Sequence, residues 1–192
     1  MYYVLQSDTA SSGKYVYFPD EPDGYDGDQW RTGAQMKEAP ALTLISDDTR
    51  TTKLSDMLLN AADLHVYSPK LIATLTAAGV DNLQYFPIAI RHPKKGKPRD
   101  DYQVANIVGR MTCVDIEHSN VSYLRSGNIR SVEEFKIFED RIVPLKGKKS
   151  PPLLFRLGES EFVVLAHEKI RSAFERDGIT GAKFIRTEEF VG

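Results

Sequence analysis

Cysteine is almost missing from this 192-residue chain. Cys113 stands alone, which excludes an internal disulfide and a cysteine-built zinc site. Histidine is scarce too: His65, His92 and His167 show no paired helical spacing of the zinc-binding kind, and each reads as a surface or partly buried residue. No apolar run approaches the roughly 20 residues needed to cross a bilayer. The opening Met1-Tyr-Tyr-Val-Leu-Gln6 has no basic leader, no long apolar core and no cleavage site, so a cytoplasmic location is expected. Excess charge of one sign is lacking as well. A net charge of -2 argues against wholesale nucleic-acid binding and against a membrane surface as partner.

What is present is the composition of an ordinary soluble globular protein, 41% hydrophobic and 27% charged. The length suits one domain over 1–192, with room for an N-terminal lobe of about 1–95 and a C-terminal lobe of about 96–192 around a shared core. Aromatic and β-branched stretches predict strands at Tyr2–Gln6, Tyr15–Phe18, Thr43–Ile45, Asp63–Tyr67, Leu83–Ile90, Val121–Leu124 and Phe135–Phe138, with a weaker one at Ile142–Leu145. Pro87 implies that its strand is an edge or carries a bulge. Leu153–Phe155 and Glu161–Leu165 predict a hairpin across Gly158, and Phe184-Ile185 a return to the sheet. Leu54, Leu58 and Leu59 predict a short helix over Thr52–Asn60. Ser68 as N-cap, Pro69 at the first helical position and Gly79 as stop bracket a second helix. The last helix, about His167–Asp177, turns Ile170, Ala173 and Phe174 inward and stops at Gly178. The sum is an α+β fold, a mostly antiparallel or mixed sheet with two or three helices packed on it.

Tyr102–Ser119 reads as two short buried strands meeting at Gly109. In the second, a period of two turns Thr112, Val114 and Ile116 one way and Cys113, Asp115 and Glu117 the other. Asp115, Glu117, His118 and Ser119 then form a polar cluster at the strand's end. Two carboxylates on one strand face suit a divalent cation or a division of acid and base roles, as in a small metal-dependent hydrolase; the plainer and favoured reading is that they solvate the outer face of a half-buried strand. Pro19–Asp28 carries five carboxylates, Asp20, Glu21, Asp23, Asp26 and Asp28, among prolines and glycines. It is a loop whose negative field would steer a basic partner. Tyr25 lies within it, and Trp30 follows at its edge as an anchor onto the core. Its acids miss the alternating order of a calcium loop. The basic turn at His92–Asp101 and the basic loop at Lys146–Pro152 have no interleaved aromatics and read as solvated turns. Gly158–Phe162 lacks the last glycine of a nucleophile elbow, and Gly147-Lys-Lys-Ser150 lacks the upstream glycine and following helix of a phosphate loop.

From about Leu64 onward, the order of elements resembles the eleventh immunity family of bacterial polymorphic-toxin systems. The likeness is carried by Val66-Tyr67-Ser68 leading into a helix with Leu71 and Leu75, then Gln84-Tyr-Phe-Pro87, then Tyr102 with Asn106. Cys113-Val-Asp-Ile-Glu117 with Ser119, Leu154-Phe-Arg156 and Gly178-Ile-Thr-Gly181 before Phe184 continue it, and Met1-Tyr-Tyr-Val-Leu fits at the start. Where family members often carry a serine before the last helix, this chain has Ala166. The resemblance implies a cytoplasmic protein that occludes a cognate toxin encoded by a neighbouring gene, with no cofactor and no chemistry of its own. In that reading Asp20, Glu21, Asp23, Tyr25, Asp26, Asp28 and Trp30 meet the toxin, the aromatics as anchors and the carboxylates speeding association. Tyr102, Asn106, Asp115, Glu117 and Ser119 are assigned to structure, with Asp and Ser side chains satisfying backbone N–H groups in a turn. The metal-dependent hydrolase remains the alternative.

Overall fold

The computed structural model describes residues 1–11, 14–46, 53–92 and 99–191. In chain order its elements are β1 (Tyr2–Ser7), β2 (Tyr17–Phe18), α1 (Gly27–Arg31), β3 (Leu42–Ile45), β4 (Leu59–Asn60), β5 (Val66–Tyr67), α2 (Pro69–Ala78) and β6 (Leu83–Arg91). Then follow β7 (Gln103–Ile107), β8 (Arg110–Met111), β9 (Asn120–Tyr123), β10 (Ile129–Glu133), β11 (Leu154–Leu157), β12 (Val164–His167), α3 (Glu168–Asp177) and β13 (Ala182–Arg186). The fold is α+β, as its sequence implies.

The larger sheet runs β13-β1-β12-β11-β8 and the second β3-β6-β7-β5. Tyr2, Tyr3, Val4 and Leu5 are all buried because β1 lies inside its sheet, antiparallel to β12 on one side and β13 on the other. A strand covered on both faces needs a continuous apolar run, not an alternating one. The N-terminus is thereby built into the sheet that holds β11 to β13. Two small ribbons, β2-β4 and β9-β10, stand beside them.

The helices α2 and α3 start and stop where their sequences dictate. Ser68 Oγ accepts from the Leu71 N–H at 3.1 Å, and Gly79 takes the left-handed conformation that ends α2. The cap of α3 comes from His167, whose Nδ1 accepts from the Lys169 N–H, so Ala166 leaves no gap there. Lys70 Nζ donates to the Gly178 carbonyl, and Thr74 Oγ1 to Asp177, tying the two helices together. The hairpin expected across Gly158 forms as β11 and β12.

Other expectations are overturned. Residues 53–60 are not helical. Leu58 and Leu59 are buried in extended chain, Leu59 opposite Tyr17 and Leu58 hydrogen-bonded to Val66, so apolar spacing that fits a helix serves a two-sided strand instead. The last part of the acidic loop winds into α1. Phe135–Phe138 is no strand: Ile137 keeps one bridge to Val114, and the partner of β9 is β10. Ile142–Leu145 is irregular, and the strand expected at Tyr15–Phe18 shortens to β2. Pro87 lies on a central strand. It sits where β6 exchanges partners, pairing β7 up to Pro87 and β3 from Ile88, so its missing N–H interrupts neither ladder. The basic turn at His92–Asp101 falls mainly on 93–98, outside the described residues.

The central stretch also differs. Its second strand ends at Met111; Cys113 and Val114 are both buried while Thr112, Ile116 and Glu117 are exposed, so the expected alternation does not run through the stretch. Ile116–His118 is a 3-10 turn, so Asp115 and Glu117 share no strand face.

Candidate functional site

The acidic loop is held at several points. Gly24 supplies a positive φ that lets the Tyr25 N–H return to the Pro22 carbonyl, and Pro22 is buried. The Tyr25 hydroxyl donates to the Ala62 carbonyl at 2.7 Å. The Asp26 carboxylate accepts from the Asp28 N–H and caps α1. Trp30, on α1, is 2% exposed and stands edge-on to Phe86 inside a core with Phe18, Leu44 and Val104. Asp20, Glu21, Asp23, Asp26 and Asp28 remain exposed on this fastened loop, Tyr25 half-buried. Trp30 supports the face from beneath and is not on it.

Arg31, next along α1, reaches the Phe162 ring, its guanidinium carbon 4.4 Å from the centroid. Phe162 is 58% exposed, in the loop between β11 and β12. It walls a cleft of about 300 Å³ whose other lining includes Leu5, Met57, Asn60, Asp63 and His65. Asp63 lies at the mouth with a left-handed backbone, φ 53°, which Asp tolerates better than most residues. Surrounding protein raises its carboxyl pKa, opposed by the Arg156 and Arg31 guanidinium groups. His65 is buried, against the expectation of a surface or partly buried ring. Burial, with Arg156 adding, pushes its pKa down to about 3, so the ring is neutral at ordinary pH. Its Nδ1 lies 3.1 Å from the Tyr67 hydroxyl. Arg156 is 4% exposed and donates from Nη1 to the Glu161 carbonyl, while its Nε has no partner among the described residues. The grouping sets buried and rim charges side by side next to a cleft, an arrangement that marks candidate functional sites.

The second set of residues holds chain segments together. Tyr102 donates to the Ser55 carbonyl at 2.9 Å. Asn106, fully buried, donates to the Ala34 carbonyl and to Gln84 Oε1, which also accepts from the Met36 N–H. The segment after α1 is thereby fastened to β6 and β7. Ser119 Oγ donates to the Asp115 carbonyl and accepts from the Lys136 N–H. The Asp115 carboxylate meets His118 Nδ1 at 2.9 Å, and Glu117 is exposed. Among the described residues no group of three His, Cys, Asp or Glu side chains is gathered closely enough to hold a metal ion.

The model of the immunity protein family (Imm11) matches residues 3–189, nearly the whole chain. The chain belongs to the Imm11 immunity protein family. A comparison with curated proteins gives no match. Membership assigns the chain an immunity function and a toxin as its kind of partner. Among the described residues no helix is long and apolar enough to cross a membrane. In this Imm11 chain, sequence reasoning reached the acidic loop but gave no role to Arg31, Asp63, His65, Arg156 or Phe162. Nothing local marks them, since they meet from α1, the turn before β5, and β11 with the loop that follows it. The nearest signal is the Asn60-Ala-Ala-Asp63 turn, where Asn60 Oδ1 accepts from the Leu64 N–H.

Proposed function

We propose that this Imm11 protein neutralises a cognate toxin by binding it, without catalysis, in the cytoplasm of the cell that makes both proteins from neighbouring genes. The contact face is the acidic loop with Asp20, Glu21, Asp23, Asp26 and Asp28, and Tyr25 at its centre. The observation that carries this reading is the fastening of the loop: Tyr25 on Ala62 and Trp30 in the core hold five exposed carboxylates on an already ordered segment. Ordering a free loop on binding costs about 0.5–1.5 kcal/mol per immobilised long side chain, and this loop has met much of that cost in folding. Its field draws in a basic surface, such as a toxin's substrate-binding groove.

Co-expression of the neighbouring gene's toxin domain with this chain should restore growth and give a complex that co-purifies. Failure of both would remove the function. The triple variant Asp23→Asn, Asp26→Asn, Asp28→Asn should slow association by about tenfold at low salt and flatten its salt dependence, with dissociation little changed. Stopped-flow kinetics over a salt series reads this; wild-type association would take the loop out of the interface.

A further inference from the structure

Resting on that reading of the acidic face, we propose that the cleft walled by Phe162 and headed by Asp63 is an anchor pocket for one arginine side chain of the toxin. Four observations converge. The mouth holds a carboxylate, Asp63, that accepts no hydrogen bond from a described residue, in a backbone conformation that turns it out of the regular strand. The wall is an exposed aromatic ring that already holds a guanidinium: Arg31 lies 4.4 Å from the Phe162 centroid, the chemistry an incoming arginine would use on the ring. Leu5 and Met57 line the cleft beside Gln6, Ser7, Thr9 and Asn60, and give the methylene stem of a long side chain an apolar contact. The fourth is His65, buried, neutral and lining the cleft.

The Tyr67 hydroxyl has one hydrogen, best used on His65 Nδ1, which assigns the ring proton to Nε2. A peptide carbonyl beside the arginine would accept from it. Arg31 and Arg156 lie near Asp63 and oppose a further cation. The carboxylates of Asp63 and the adjoining loop outnumber them, and the loop meets the cleft where Tyr25 bonds Ala62, next to Asp63. The loop draws a cation toward this side of the molecule, and Asp63 is the carboxylate that receives it at the cleft. A planar guanidinium suits both the carboxylate and the ring better than an ammonium does. The loop attracts a basic partner and the cleft places one of its side chains.

The probe is N-acetyl-argininamide, added to the isotope-labelled full chain and followed by NMR, with N-acetyl-lysinamide beside it. Saturable shifts at Asp63, His65 and Phe162, larger for the arginine probe and lost in Asp63→Asn, are expected. Asn adopts the left-handed backbone readily, so this variant keeps the fold, and Phe162→Ala at an exposed position gives a second. In the complex with the toxin domain, Asp63→Asn should raise Kd by about tenfold with an unchanged thermal midpoint. Shifts that never saturate at the cleft, or that persist in Asp63→Asn, overturn the proposal, as does wild-type toxin affinity in that variant. If the wild-type chain binds no toxin domain, the functional reading falls, and the probe titration alone decides whether the cleft takes a guanidinium.

Discussion

His65 carries one charge decision for the whole protein. Folded, its ring stays neutral down to a pKa of about 3, against an ordinary value near 6.5. The unfolded chain therefore binds a proton that the folded one refuses whenever the pH lies between those values. Stability is lost as pH falls from 6.5, by up to about 1.4 kcal/mol per pH unit and by about 2 kcal/mol at pH 5. Urea unfolding of wild type and His65→Gln at several pH values should show the steeper acid loss in wild type. Cys113 makes a simpler case. Burial, with Glu159 beside it, pushes its thiol up to about 12, so the thiolate that reacts is nearly absent. A thiol reagent is expected to label Cys113 at the rate of global unfolding and to label rapidly in denaturant.

At the scale of elements, a half-buried polar link joins the start of α2 to the turn before β13. Asp56 accepts from Ser68 Oγ and from both the N–H and the hydroxyl of Thr180. Gly181, next to Thr180, has φ 83°, and a Cβ there would run into the Met57 carbonyl and the Ser55 side chain. Gly127, in the turn of the β9-β10 ribbon, has φ 85° with open space around it. Gly127→Ala should cost only about 1 kcal/mol of backbone strain, whereas Gly181→Ala should cost about 1–3 kcal/mol more through the clash. Equilibrium denaturation of the two variants compares them directly. Caps and stops such as Ser68, Pro69, Gly79 and Gly178 were legible in the sequence because they act within one turn of chain. Leu54 to Leu59 were misread because the same spacing serves a helix face or a strand covered on both sides. The alternation around Cys113 was misread for a related reason: the strand ended sooner than its pattern.

For the whole molecule, the position of β1 matters most. The first residues of the chain pair with β12 and β13, near the other end, while β3 and β6 belong to the second sheet. Tyr67, Ile107, Leu154 and Ile170 share a core drawn from both sheets and both longer helices. Unfolding is therefore expected as one transition, with Trp30 fluorescence and far-UV circular dichroism giving coincident midpoints in urea. Separate midpoints would mean two lobes that melt independently.

The α+β class, the limits of α2 and α3, the acidic loop and the likeness to Imm11 came from the chain alone, since each depends on neighbouring residues or on their order. The partner of β9, the burial of His65, and the meeting of Arg31, Asp63, Arg156 and Phe162 came only with the tertiary structure. Those contacts join positions far apart in sequence, and no local propensity records which distant side chain will close over a given cleft.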